Sequence, residues 1–166
     1  MARQLWLLRH AEAEPHGSRE DSERRLTERG EEQARFAGLA LARLDAEFDA
    51  ILFSPRVRAA RTAEIAAEAL SDEQRELMEV YEPLAGGFGR ADALEVMAGA
   101  GAEGRVLLVG HEPDLSQVAA ELTGGRVDIK KGGLAVLRLE GAGAELAVLL
   151  RPREIALLAG VPVGRH

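Results

Sequence analysis

No cysteine occurs among the 166 residues. Disulfides, a thiolate nucleophile and cysteine-ligated metal sites are therefore excluded. Long apolar runs are missing too: none reaches the roughly 20 residues of a membrane-spanning helix. The amino terminus lacks the basic region and apolar core of a signal peptide. The expectation is a cytoplasmic chain with no membrane partner. Positive charge is in deficit, since 28 acidic and 21 basic residues leave a net charge of −7. That argues against a protein that grips nucleic acid through backbone phosphates. An acidic protein can still hold an anion where its surface is locally cationic. Histidine is scarce, limited to His10, His16, His111 and His166. No His-x-His or His-Glu-x-x-His pair and no P-loop pattern occur, and the spacing of Glu12, Glu14, Glu112 and Asp114 specifies no ligand set. Neither a metal nor another cofactor is expected.

What is present is a set of short apolar runs that end in polar groups. Leu5 to Leu8 runs into Arg9-His10. Asp49 to Phe53 runs into Ser54-Pro55-Arg56-Val57-Arg58. Arg105 to Val109 runs into Gly110-His111-Glu112-Pro113. Runs of this kind are buried strands of a parallel sheet that deliver functional residues at the carboxyl edge, where ligands of open α/β sheets bind. Arg, His, Arg and His converging on one edge make a site for a phosphate dianion. Guanidinium groups match phosphate oxygens in bidentate fashion, one imidazole can attack phosphorus, and the other can donate. Each residue also has a plainer reading. His10 is then a structural histidine, Arg58 a surface cation like Arg56 and Arg61, and His111 a turn residue.

With these residues the chain resembles the histidine phosphatase superfamily, the phosphoglycerate mutase-like group, and most of all its short phosphohistidine phosphatases of the SixA type. The matching pieces are Leu8-Arg9-His10-Ala11-Glu12, Leu26-Thr27-Glu28-Arg29-Gly30, Ser54-Pro55 through Arg58 to Thr62, and Val109-Gly110-His111-Glu112-Pro113. The family's usual Arg-His-Gly reads Arg-His-Ala here, which implies a small shift of loop backbone and no lost function. Arg24 stands where short members carry an Arg-Pro pair, but Arg25 replaces the proline. The resemblance implies catalytic roles for His10, Arg9, Arg58 and His111, with Arg9, Arg58 and His111 binding phosphate. His10 is the expected nucleophile, reacting as the neutral imidazole. Glu82, beside Pro83 at a strand end, is the positional candidate for a general acid.

The implied activity is metal-independent hydrolysis of phosphohistidine in a partner protein. A small phosphomonoester, such as a sugar or nucleotide phosphate, is the alternative substrate. A non-catalytic phosphate-recognition module is a third reading. The stretch from Leu70 to Arg105 is too short for a large cap, so an open, shallow cleft is expected, with Lys130 and Lys131 either at its rim or solvated.

The expected fold is one domain over 1–166, a three-layer α/β/α sandwich, phosphoglycerate mutase-like, with a mostly parallel central sheet and one antiparallel strand. Strands are expected at 4–8, 49–53 and 105–109, with a weaker one at 77–82. A loop is expected over 11–26. Thr27 should cap a helix to Leu44 that buries Ala34, Ala37, Leu41 and Leu44. Ser54 should cap a second helix that ends near Leu70, with Pro55 at its first position. Short helices are expected at 90–98 and 113–122. A hairpin should join 134–139 to 146–150 across Gly141-Ala142-Gly143. The segment from Arg151-Pro152 is helical or irregular.

Overall fold

A computed structural model describes residues 2–161; His166 and the far end of the expected domain lie outside the described residues. Six strands form one sheet in the order β3-β2-β4-β1-β5-β6. They are β1 (Gln4–Arg9), β2 (Ala50–Phe53), β3 (Met78–Val80), β4 (Arg105–Gly110), β5 (Leu134–Glu140) and β6 (Gly143–Leu150). β1 to β4 run parallel, and β5 runs against both of its neighbours, β1 and β6. Among the described residues six α-helices accompany them: α1 (Glu28–Arg43), α2 (Val57–Ala67), α3 (Asp72–Glu76), α4 (Arg90–Ala98), α5 (Asp114–Thr123) and α6 (Pro152–Leu158).

The two-residue period of β1 divides the core. Leu5 and Leu7 join Met97 of α4 and Leu115 of α5 on one face of the sheet. Trp6 and Leu8 join Leu41 of α1, Ala63 of α2 and Ile155 of α6 on the other. Because both faces are covered, the central strands read as unbroken apolar runs. The expected three-layer α/β/α sandwich is the fold found.

Several details differ from the sequence expectation. Thr27 does cap α1, its hydroxyl accepting from the Gly30 amide at 3.0 Å, but Leu44 lies past the helix end and is 41% exposed. Ser54 does not cap α2: the helix starts at Val57 with Arg56 at its N-cap. The weak strand shrinks to Met78–Val80, and α3 precedes it with Ser71 capping through the Gln74 amide. β6 begins at Gly143, earlier than the spacing suggested, and the terminal segment is helical.

Candidate active site

Strand register brings the polar residues together. Arg9 stands opposite Gly110, and Phe53 opposite Val109. The residues that follow, His10, Ser54 and His111, therefore leave the sheet side by side. Backbone bonds fix the exits: His10 N donates to Gly110 O and Ser54 N to Val109 O, both at 3.0 Å. The His10 and His111 rings lie 5.3 Å apart between centroids, tilted by 52°.

The tautomer of His10 is set by its neighbour. Its Nδ1 lies 2.7 Å from the Ala11 carbonyl oxygen, which can only accept, so Nδ1 carries the hydrogen. Nε2 keeps its lone pair. Burial, with Arg58, Arg9 and Arg24 nearby, pushes the His10 pKa down to about 4 against the upward pull of the Ala11 carbonyl. The imidazole is neutral at pH 7 and available as a nucleophile. Ala11 itself is held by its amide, which donates to Thr62 Oγ1 at 3.1 Å, while Thr62 donates to Arg58 O at 2.7 Å. Ala11 does both tasks with backbone atoms, so alanine performs them as glycine would.

Three arginines line the same cleft, whose volume is about 170 Å³. Arg9 donates through Nη1 to Ile129 O at 3.0 Å. Arg58 donates through Nη1 to Asp21 O at 2.7 Å and through Nη2 to Asp21 Oδ2 at 3.3 Å. Arg24 is 7% exposed and donates to Asp21 Oδ1 at 3.0 Å and to Glu14 O at 2.7 Å. Arg56 also pairs with Asp21. Burial alone would raise the Asp21 carboxyl, but Arg58 and Arg24 outweigh it and hold the group below its usual range. Asp21 is thus an ionised hub for three guanidinium groups. Three buried nitrogens, Arg9 Nε, Arg58 Nε and His111 Nδ1, have no partner among the described residues. They belong to side chains around one cleft, where an anion with several acceptor oxygens could satisfy them.

His10, Arg9, Arg58 and His111 meet as their sequence positions implied. Glu82 does not join them. It lies exposed in a 3-10 turn and is absent from the cleft lining. The carboxylates that line the cleft are Glu14 and Glu112. Glu14 is held below its usual range, first by the Arg25 amide and then by Arg19, whereas burial raises Glu112. Lys131 lines the cleft, and Lys130 turns to Asp128 at 2.6 Å. Arg61 is a surface cation paired with Glu31 and Glu64. Arg56 is not one, being half-buried on Asp21.

Strand-edge reasoning missed Ser54, Thr62 and Asp21, and it gave Arg24 too little weight. Asp21 opens a single 3-10 turn and Arg24 closes it, a stretch too short to show a period. The short Asp21-Ser-Glu-Arg24 spacing is the one local sign that the two could pair.

A family model of the histidine phosphatase superfamily (branch 1) matches residues 5–87. A protein of Picosynechococcus sp. (strain ATCC 27264 / PCC 7002 / PR-6) is 34% identical over 140 residues, 81% of this chain and 84% of the relative. The chain belongs to the histidine phosphatase superfamily. Among solved structures, the protein histidine phosphatase SixA complexed with tungstate superposes with a TM-score of 0.78 at 25% identity, over 92% of this chain and 99% of that one. A phosphoglycerate mutase from Bacillus anthracis str. Sterne shares the fold, with a TM-score of 0.77 at 16% identity over 95% and 96% of the two chains. The family match ends before β4, the strand whose register brings His111 to the site.

Proposed function

We propose that this chain hydrolyses phosphohistidine in a partner protein, through a covalent phosphohistidine formed on His10. The observation that carries the reading is the neutral, tautomer-fixed His10 beside Arg9, Arg24 and Arg58. His10 Nε2 attacks phosphorus, and the P–N bond to the substrate imidazole breaks as that imidazole takes a proton from solvent. Water then attacks the phosphorylated His10. The P–Nε2 bond breaks, inorganic phosphate leaves, and the water proton passes to solvent. The arginines neutralise the equatorial oxygens in both steps, a task that metal ions perform in other phosphoryl transferases.

Support for this substrate comes from three sides. The solved SixA is a protein histidine phosphatase, and it is 25% identical to this chain. Glu82, the positional candidate for an acid, stands away from the cleft, and an N-phosphoryl bond demands less acid help than an alkoxide leaving group. Between α2 and β4 the chain builds only α3, β3, a 3-10 turn and α4, so no large cap that would enclose a small metabolite is built there.

One observation favours a second reading, a small phosphomonoester as substrate. Glu112 lines the cleft with its carboxyl raised by burial, as a general acid requires. A substrate panel decides, run with chelator throughout. Expected is turnover of phosphohistidine protein with kcat/KM at least about tenfold above sugar and nucleotide phosphates, and little change in Glu112→Gln. Preference for a phosphomonoester, lost in Glu112→Gln, transfers the assignment to the second reading. Phosphate binding without any turnover returns the recognition module. Activity that dies in chelator and revives with a divalent ion overturns the metal-free mechanism.

A further inference from the structure

Ser54 is fully buried just beyond β2 and takes no part in the steps above. Its hydroxyl meets two groups. The Arg56 amide donates to Oγ at 3.2 Å. His111 Nε2 lies 2.7 Å from the same oxygen. A serine hydroxyl has one hydrogen and two lone pairs. The amide can only donate, so it takes one lone pair. Two arrangements remain for the contact with His111.

In the first, His111 carries its hydrogen on Nε2 and donates to Ser54. The serine hydrogen then has no acceptor among the described residues, and Nδ1 is left as an unprotonated nitrogen. That nitrogen is buried and has no donor partner among the described residues. In the second arrangement Ser54 donates to Nε2. The hydroxyl then donates once and accepts once, leaving only a lone pair unused, and the hydrogen of His111 sits on Nδ1. The first arrangement leaves two buried groups unpaired, the serine hydrogen and the Nδ1 lone pair; the second leaves one, the Nδ1–H, and is favoured for that reason.

We infer that Ser54 is a positioning residue: its hydroxyl donates to His111 Nε2 and fixes His111 as the neutral Nδ1–H tautomer, which makes Nδ1 a hydrogen-bond donor for the transferring phosphoryl group. This rests on the proposed phosphatase reading only for the use made of the donor. The charge state agrees with it. Burial, His10, Arg58 and Arg56 hold His111 down to about 3, and Asp21 pulls the other way without prevailing. A neutral ring has one hydrogen, so which nitrogen bears it decides whether His111 can donate to an anion at all. The two histidines then have complementary roles set by different devices. The Ala11 carbonyl puts the hydrogen of His10 on Nδ1 and frees Nε2 to attack. The Ser54 hydroxyl puts the hydrogen of His111 on Nδ1 and makes that atom the donor.

The test is long-range 1H–15N correlation on 15N-histidine-labelled full-length protein near neutral pH in phosphate-free buffer, with His111 assigned by its loss in His111→Asn. Expected is a protonated Nδ1 and an unprotonated, hydrogen-bonded Nε2 at His111. An Nε2–H pattern, or an imidazolium with both nitrogens protonated, overturns the inference. Because no substrate is present, this outcome stands apart from the phosphatase assignment. Ser54→Ala removes one oxygen and keeps the backbone. It should lose the fixed Nδ1–H signature and lower kcat about a hundredfold, with vanadate affinity falling in parallel, the scale for one misdirected donor. A tautomer unchanged in Ser54→Ala overturns the inference whatever happens to kcat.

Discussion

At the scale of the residue, chemistry follows from which atoms are already committed. Arg58 gives Nη1 and Nη2 to Asp21 and keeps Nε without a partner. The side chain is thus oriented from behind, and an anion does not have to order it. Arg58→Ala should lower kcat/KM about a hundredfold, near 3 kcal/mol of lost transition-state stabilisation. Arg58→Lys should recover only part, because a point-like ammonium cannot both hold Asp21 and make a bidentate contact. Full activity in the lysine variant would show that Arg58 acts as diffuse charge. His10 makes a second prediction. Its pKa of about 4 is set first by burial, so the acid limb of kcat/KM should fall near that value and well below the usual histidine range. A limb near 6.5 would mean that His10 is solvated in the free enzyme. The residues legible in sequence were those that end apolar strands, because a strand edge is a periodicity signal. Ser54 was legible as a polar stop but misread as a helix cap. The Ser-Pro pair carries that signal, and only the approach of β4 shows that the hydroxyl serves His111.

At the scale of the element, the site depends on how closely α1 approaches α2 and the loop after β1. A Cβ on Gly38 would lie 2.2 Å from Ala66 O, and one on Gly30 would lie 1.9 Å from Glu12 O. Both glycines sit on the buried face of α1. They let the helix backbone press on α2, which carries Arg58 and Thr62, and on the loop that leaves His10. In a solvated helix, glycine to alanine stabilises by about 1 kcal/mol. Here the contacting atom is backbone and cannot rotate away. Gly38→Ala should therefore destabilise by about 2 kcal/mol, a fall in Tm of roughly 4–8 °C, read by thermal melting. A rise in Tm would mean that α1 and α2 stand further apart. Thr27 and the helical spacing made α1 readable in advance. The reason for Gly30 was not, because a close approach belongs to two elements at once. α3 was missed for a related reason: five residues, Asp72–Glu76, are too few to display a period.

At the scale of the whole molecule, an acidic chain of net charge −7 concentrates buried cations at one sheet edge. Arg24 and Arg58 are answered by Asp21, and Arg9 by the Ile129 carbonyl and, at longer range, by Glu112 and Asp128. Among the described residues no carboxylate is in direct contact with His10 or His111, and both stay uncharged. That choice makes stability depend on pH with a definite sign. In the native state the pKa of His10 is about 4 and that of His111 about 3, lowered first by burial, against about 6.5 when unfolded. Between these limits the unfolded chain binds more protons than the folded one, so stability rises with pH across that window and levels off above it. The displacement of His10 alone is worth about 3 kcal/mol. His111 titrates beside it, 5.3 Å away between centroids, so the two form a coupled pair whose effects do not add. Urea midpoints in phosphate-free buffer should fall steeply from about pH 7 to about pH 4.5, with an unchanged m-value. Carboxylates begin to titrate at the lower end of that range, and a variant isolates the histidine part. His10→Asn cannot take up a proton there, and its midpoint should fall less over the same interval. Equal slopes for the two proteins would show that His10 is solvated in the native state, and its proposed role as a neutral nucleophile would then need another explanation.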